Sequence, residues 1–352
     1  MKPMDEITEN AAIDVWVRAF ARSPRQLNAP HESDAEIVEM PGMPGQCLAI
    51  TIDTVAEEVR AGLYRDPYTT GWVAAMASLS DLAAVGADPL GLVISASVPP
   101  GTPRGDVERT ARGMEEACRS LGVFVLGGDL NSAEALSVGG CAVGLVPRDG
   151  LLTRRGVLPG DAIVLTGPAG AGNALGLARF AGLPDDAFPE GAYRPVARLR
   201  AGRALRGRAH ACMDTSDGVL ATLDQLMRLN GCGFEVVCDW PRVLAPGVGA
   251  LCDRASAPPW MMLAGAHGEF ELVCAVPEGD AESVVADLTA LGHSPVRLGS
   301  AQQRSALTLS LPGGRRADIA MAPVRNLIET LRGDSARYLS ELERLGRSWG
   351  LE

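Results

Sequence analysis

Five consecutive residues, Asp214-Thr215-Ser216-Asp217-Gly218, place two carboxylates around a hydroxyl where a helix-spaced run through Leu220, Leu223 and Leu226 begins. A helix start offers unpaired backbone N–H groups to an anion, and flanking acids suit a hard cation such as Mg²⁺ beside it. An ordinary cap would need Ser216 alone. Two other strand-like runs also end in an acid: Ile50-Thr51-Ile52 leads to Asp53, and Leu126-Gly127-Gly128 leads to Asp129. In open α/β sheets the carboxyl ends of the strands form the ligand crevice, where gathered carboxylates repel one another unless a cation neutralises them. Each Asp by itself could cap a turn. As a set, Asp53, Asp129 and Asp214 point to metal-assisted phosphate chemistry.

Composition narrows that chemistry. Lys2 is the only lysine in 352 residues, which excludes a P-loop, a protein-kinase strand lysine and a pyridoxal Schiff base. Any nucleotide must be held by metals, Arg and backbone amides. The net charge of −11 disfavours nucleic acid and anionic membrane as partners. The eight cysteines form no C-x-x-C pair and the four histidines no H-E-x-x-H, so they read as reduced core thiols and give little support to zinc. Asp5, Glu6 and Glu9 stand where a signal peptide would be basic, and no apolar run is long enough to span a bilayer, so a cytoplasmic location is expected.

The elements that must carry these residues alternate strand and helix, which predicts an α/β fold. Ile13, Trp16, Val17 and Phe20 share a face of a leading helix over residues 6–22. A strand over 47–53, a helix over 71–85 and a strand over 92–98 follow. Thr102-Pro103 has the form of an N-cap with proline at the first helical position. The apolar run 123–126 reads as a strand broken by Gly127-Gly128-Asp129, before another strand over 136–146. Polar, turn-rich residues 147–160 suggest a domain break near 150. Beyond it come a strand over 162–166, a Gly-rich turn, a helix through 180, a helix over 195–211, the Ser216-capped helix, and a polar helical tail. The expected division is 1–150, 151–322 and 323–352.

The run from Ser78 to Pro89, Gly127-Gly128-Asp129, Arg154-Arg155-Gly156 with Pro159-Gly160-Asp161, and Met213 to Gly218 together resemble thiamine-monophosphate kinases. These are similar in turn to aminoimidazole ribonucleotide synthetase, selenophosphate synthetase and a hydrogenase maturation protein. The resemblance implies two α/β domains, a homodimer whose N-terminal sheets pair into a β-barrel, and ATP bound without a P-loop. It implies that Asp34, Asp53, Asp81, Asp129 and Asp217 hold Mg²⁺ against the ATP phosphates. Asp214, Ser216 and Asp217 would lie at the transferred phosphate, with Gly127, Gly128, Asp129, Arg154 and Gly218 about the nucleotide. Glu269 and Phe270 fall in the family's Gly-Gly-Glu-Asp-Tyr-Glu-Leu block and would border the acceptor.

The departures from that pattern lie mostly on the acceptor side. Gly-Asp-Asp becomes Glu32-Ser33-Asp34, and Glu-Gly-Val-His-Phe becomes Glu57-Glu58-Val59-Arg60-Ala61. Arg60 in place of a ring partner favours an anionic small-molecule acceptor over thiamine monophosphate. The leading expectation is therefore an ATP- and Mg²⁺-dependent phosphotransferase. Two alternatives stay open: another ATP-dependent synthetase or dehydratase of the superfamily, and a nucleotide-binding paralogue without turnover.

Overall fold

Each half of the chain builds one mixed sheet in the computed structural model, which describes residues 2–331 and 334–351. The first half contains α1 (Thr8–Ala19), β1 (Glu36–Glu39), β2 (Gln46–Thr54), α2 (Ala56–Arg60), α3 (Pro67–Ala84), β3 (Asp88–Val98), α4 (Arg104–Ser120), β4 (Val125–Ser132) and β5 (Ser137–Pro147). Its strand order is β1-β2-β5-β3-β4, antiparallel except for the β3–β4 pair. The sheet is open, with β1 and β4 at its edges.

Nearly all of α3 is buried, because small and apolar residues surround it on every side. Asp66 caps it by accepting from Tyr68 N–H, and Pro67 occupies its first turn. One side of α3 packs on β2, β5 and α4, the other on elements of the second half. Ser78 Oγ donates to Gly140 O at 2.6 Å and Thr51 Oγ1 donates to Asp81, which identifies the sheet face under α3.

Register decides where the strand acids point. Asp53 pairs with Gly140, Gly140 with Ile94 and Ile94 with Gly128. Asp129 belongs to the next row, with Thr54, Gly139 and Ser95. Successive residues of a strand face opposite sides, so Asp53 turns toward α3 and Asp129 toward the outer face. Three strand spacings, roughly 14 Å, separate their strands. The expected break at Gly127-Gly128-Asp129 is absent: β4 runs through all three as an exposed edge strand. Ile52, Val93, Phe124, Leu126 and Leu130 remain exposed on and beside this sheet.

The second half contains β6 (Ala162–Leu165), α5 (Ala171–Phe180), α6 (Leu199–Leu205), β7 (Ala211–Asp214), α7 (Val219–Asn230), β8 (Gly233–Val237), α8 (Trp240–Val243), α9 (Val248–Ala255), α10 (Met261–Ala264), β9 (Leu272–Val276), α11 (Ala281–Ala290), β10 (Val296–Gln302), β11 (Leu307–Ser310) and β12 (Arg316–Ile319). The strand order is β12-β11-β8-β10-β6-β9-β7. Helices α12 (Met321–Arg325), α13 (Leu327–Thr330) and α14 (Ser335–Ser348) complete the tail.

Three boundaries differ from expectation. Pro103, not Thr102, is the N-cap of α4, and the Thr102 hydroxyl donates back to Pro99 O at 2.8 Å. The helix expected over 195–211 shrinks to α6, since Arg206 turns extended and Gly207 has φ 67°. Helix α7 starts at Val219, after the residue expected to cap it. The cysteines are unpaired, and all but Cys141 are buried. Among the described residues no helix is long and apolar enough to cross a membrane.

Candidate active site

Asp34 precedes β1, Asp81 sits in the last turn of α3, and Asp214 ends β7. Their carboxylate oxygens lie within 4.8 Å of one another. Both halves of the chain thus supply one cluster. Arg154 closes on Asp34 with two bonds, Nη2 to Oδ1 at 3.0 Å and Nε to Oδ2 at 3.2 Å. Thr51 donates to Asp81, and Ser216 Oγ donates to Asp214 Oδ1 at 3.0 Å. Asp214 Oδ2 and the neighbouring Ser80 Oγ are buried without a well-formed hydrogen bond. Such orphaned groups cost about 1–3 kcal/mol each.

The electrostatics agree with that geometry. Burial, then Asp34, raises Asp214 to about 7. Asp81 is held well above the usual carboxylate range by burial and then by Asp214, Asp53 and Asp34. Burial chiefly raises Asp53 to about 6, with Asp217 adding to it. Two acids that the sequence reading left without a role join this field. The Asp217 charge chiefly raises Glu9 of α1 to about 7, and burial chiefly raises Glu58 of α2 to about 7. An all-oxygen donor set, orphaned buried oxygens and mutually destabilised carboxylates fit a hard divalent cation.

The turn from Asp214 to Gly218 leans on a second segment, 265–271. Gly268 N–H donates to Ser216 O at 2.8 Å, Thr215 N–H to Glu271 O at 2.8 Å, and Glu271 N–H to Thr215 Oγ1 at 3.0 Å. A Cβ at Gly268 would stand 1.5 Å from Thr215 O, so only glycine lets the two strands of the wall meet. The Ser216 hydroxyl donates to Asp214, and no first-turn N–H of α7 donates to it. Gly218 takes the cap position, and its N–H donates to Thr215 O at 3.0 Å. Of the amides expected to face an anion, that one is occupied.

Comparison with known proteins supplies the family. The AIR synthase related protein N-terminal domain matches residues 32–146 and the C-terminal domain residues 159–311. Thiamine-monophosphate kinase of Halobacterium salinarum is 36% identical over 232 residues, 65% of this chain and 76% of that protein. The enzyme of the same name from Caulobacter vibrioides is 32% identical, covering 69% of this chain and 70% of the relative. The chain belongs to the thiamine-monophosphate kinase family. The solved structure of AaThiL complexed with AMPPCP and TMP shares the fold, with a TM-score of 0.70 at 20% identity over 88% of this chain and 95% of that one.

Within this thiamine-monophosphate kinase fold the remaining expected residues scatter. Gly127, Gly128 and Asp129 lie on exposed β4, away from the Asp34–Asp81–Asp214 cluster, and Asp129 Oδ2 accepts from Asn131 Nδ2 at 2.6 Å. Arg60 points into solvent and pairs with Glu57 at 3.8 Å, since α2 is a short helix with its last turn outward. Glu269 and Phe270, which the resemblance sets at the acceptor, are buried. Glu269 accepts from Gly170 N–H at 2.7 Å, and burial raises it to about 8. Where the family pattern has Gly-Gly, His267 packs between Tyr64 and Tyr193, and its Nε2 lies 3.1 Å from the Tyr64 hydroxyl. Burial lowers His267 to about 4. Tyr64 had no signal in the sequence beyond its rarity, because its partners lie about 130 and 200 residues away.

Proposed function

We propose that the chain transfers the γ-phosphoryl group of ATP to the phosphate of thiamine monophosphate, giving thiamine diphosphate and ADP. An oxygen of the acceptor phosphate forms the new bond to phosphorus as the bond to the β-phosphate oxygen breaks. The observation that carries this reading is the cluster of Asp34, Asp81 and Asp214, in a chain whose relatives are thiamine-monophosphate kinases. The preference for an anionic acceptor rested on Arg60, which faces solvent.

Asp34, Asp81 and Asp214 would hold a divalent cation, with Asp53 and Asp217 beside them. A Mg²⁺ ion held there would offset the charge of the triphosphate. The chain's own residues set the geometry. Arg154 fixes both oxygens of Asp34, Thr51 orients Asp81, and Ser216 orients Asp214. Catalysis is positioning and charge compensation, without a covalent enzyme intermediate.

The same reading divides the chain into 1–150, 151–322 and a tail, 323–352. It pairs the first sheet with that of a second copy in a dimeric barrel, a use for the exposed apolar residues around β4. It also fits a cytoplasmic location. The test is incubation with ATP, Mg²⁺ and thiamine monophosphate, with products identified by mass spectrometry. Thiamine diphosphate and ADP in equal amounts are expected. Free phosphate with unchanged thiamine monophosphate would overturn the reading. Light scattering tests the dimer, and a monomer at micromolar concentration would remove the barrel.

A further inference from the structure

The tail lies beyond the residues the family matches and supplies none of the clustered acids, yet it grips the segment against which the site turn rests. Near the start of α14, buried Tyr338 accepts a hydrogen bond from Ala266 N–H at 3.2 Å and meets Phe180 edge-on at 6.0 Å. Beyond its other end, Trp349 stacks edge-on against Trp260 at 5.8 Å, and Trp260 Nε1 donates to Leu351 O at 3.2 Å. These two grips bracket α10. From there the chain passes to His267, whose N–H donates to Asn173 Oδ1 at 3.1 Å, and to Gly268, which is bonded to Ser216 O. Ser216 in turn donates to Asp214. The path from Tyr338 to the acidic cluster therefore runs through three hydrogen bonds joined by the backbone of residues 266–268 and by Ser216.

We propose that Tyr338 and Trp349 are positioning residues for phosphoryl transfer: by pinning Trp260 and Ala266 they hold segment 265–271 against the Asp214–Gly218 turn. The rest of α14 is consistent with this, since its outer face is polar and its apolar side chains Leu342 and Leu345 point into the body. A reaction that works by alignment is sensitive to such support, because a shift near 1 Å can cost on the order of a hundredfold in rate.

The inference rests on the proposed kinase reaction, so its test uses two independent readouts on the full-length chain: hydrogen exchange without substrate, and steady-state kinetics with ATP and thiamine monophosphate. Tyr338→Ala and Trp349→Ala should speed exchange in peptides covering 211–219 and 265–272 while β2 and β5 keep their rates. They should lower kcat about tenfold and leave the ATP KM within about twofold. Tyr338→Phe keeps the ring and should fall between these variants and the native protein. Unchanged exchange at 211–219, or an equal rise in β2 and β5, would overturn the proposal. A native protein that makes no thiamine diphosphate would sink the kinase reading, and exchange would still decide the clamp.

Discussion

Arg154 and Asp34 form a two-bonded ion pair in which the carboxylate is almost completely enclosed, the Asp34 side chain being 1% exposed. The pair joins the link between the two sheets to the stretch preceding β1. Removing the cation leaves a buried charge beside Asp214. Arg154→Ala should therefore destabilise the protein by about 3–5 kcal/mol, measured by urea unfolding. The double variant Arg154→Ala/Asp34→Asn should recover part of that loss. Lysine at 154 should not restore the native stability, since it cannot bond both oxygens at once. Equal stability of the single and double variants would remove the pairing argument.

Acidity should act on this protein in an unusual direction. Asp214 moves from 3.8 to about 7 on folding, so between those values the folded chain keeps a proton that the unfolded chain releases. Stability without cation must then fall as pH rises from about 4 to about 7, with a slope near 1.4 kcal/mol per pH unit for each such group. Asp53 and Glu58 shift in the same direction. A divalent cation needs the ionised carboxylates, so Mg²⁺ should raise the melting temperature more at pH 8 than at pH 5. Calorimetry at both values checks this, and equal increments would count against cation binding by these acids.

Asp81 and Asp129 should separate cleanly. Asp81→Asn removes a member of the cluster and should abolish most of the Mg²⁺-dependent rise in melting temperature. Asp129→Asn, on the outer face of an edge strand, should leave that rise within about 1 °C of the native protein at a given Mg²⁺ concentration, as expected for a surface change within about 0.5 kcal/mol. Matching losses in the two variants would mean that Asp129 reaches the cation after all, through a second copy of the chain.

Arg60 should be dispensable. Its contact with Glu57 is an exposed pair of a kind that contributes little, so Arg60→Ala should keep kcat/KM for thiamine monophosphate within about twofold. Glu58→Gln is the informative contrast, because Glu58 Oε2 is buried without a partner near the acids of the site. Replacing a carboxylate whose charge burial disfavours should raise the melting temperature in the absence of cation. A large kinetic effect at Arg60 with none at Glu58 would reverse this view of the acceptor side.

Much of the framework was legible because local pattern and packing coincide. β2, α3, α4, β5 and α7 follow from apolar periodicity, with boundaries off by a few residues. Asp214 was legible because a buried strand ends on it. Asp129 lies apart from the cluster for a physical reason: two glycines look like a stop, but an edge strand tolerates them, and whether its acid faces α3 depends on pairing register. Asp34 and Arg154 entered only through family resemblance, since 120 residues separate them and neither lies in a periodic run. Glu9 was even less visible, because its field comes from Asp217 in the other half of the chain. Ser216 carried a cap signature, yet α7 starts only at Val219 and no first-turn N–H reaches its hydroxyl.

Helix α3 belongs by sequence to the first sheet, yet its far side is covered by α6 and β7. At that seam a Cβ on Gly202 would stand 2.0 Å from Ala83 O, so the two backbones touch without intervening side chains. One helix thus completes two cores at once. Neither half can shed the other without exposing a helix face made mostly of small and apolar residues, and the two should unfold in one cooperative step despite their separate sheets. The clustered acids inherit that linkage: with Asp81 on α3 and Asp214 on β7, no partly folded species can present the complete set, and binding competence appears only with the last packing event of folding.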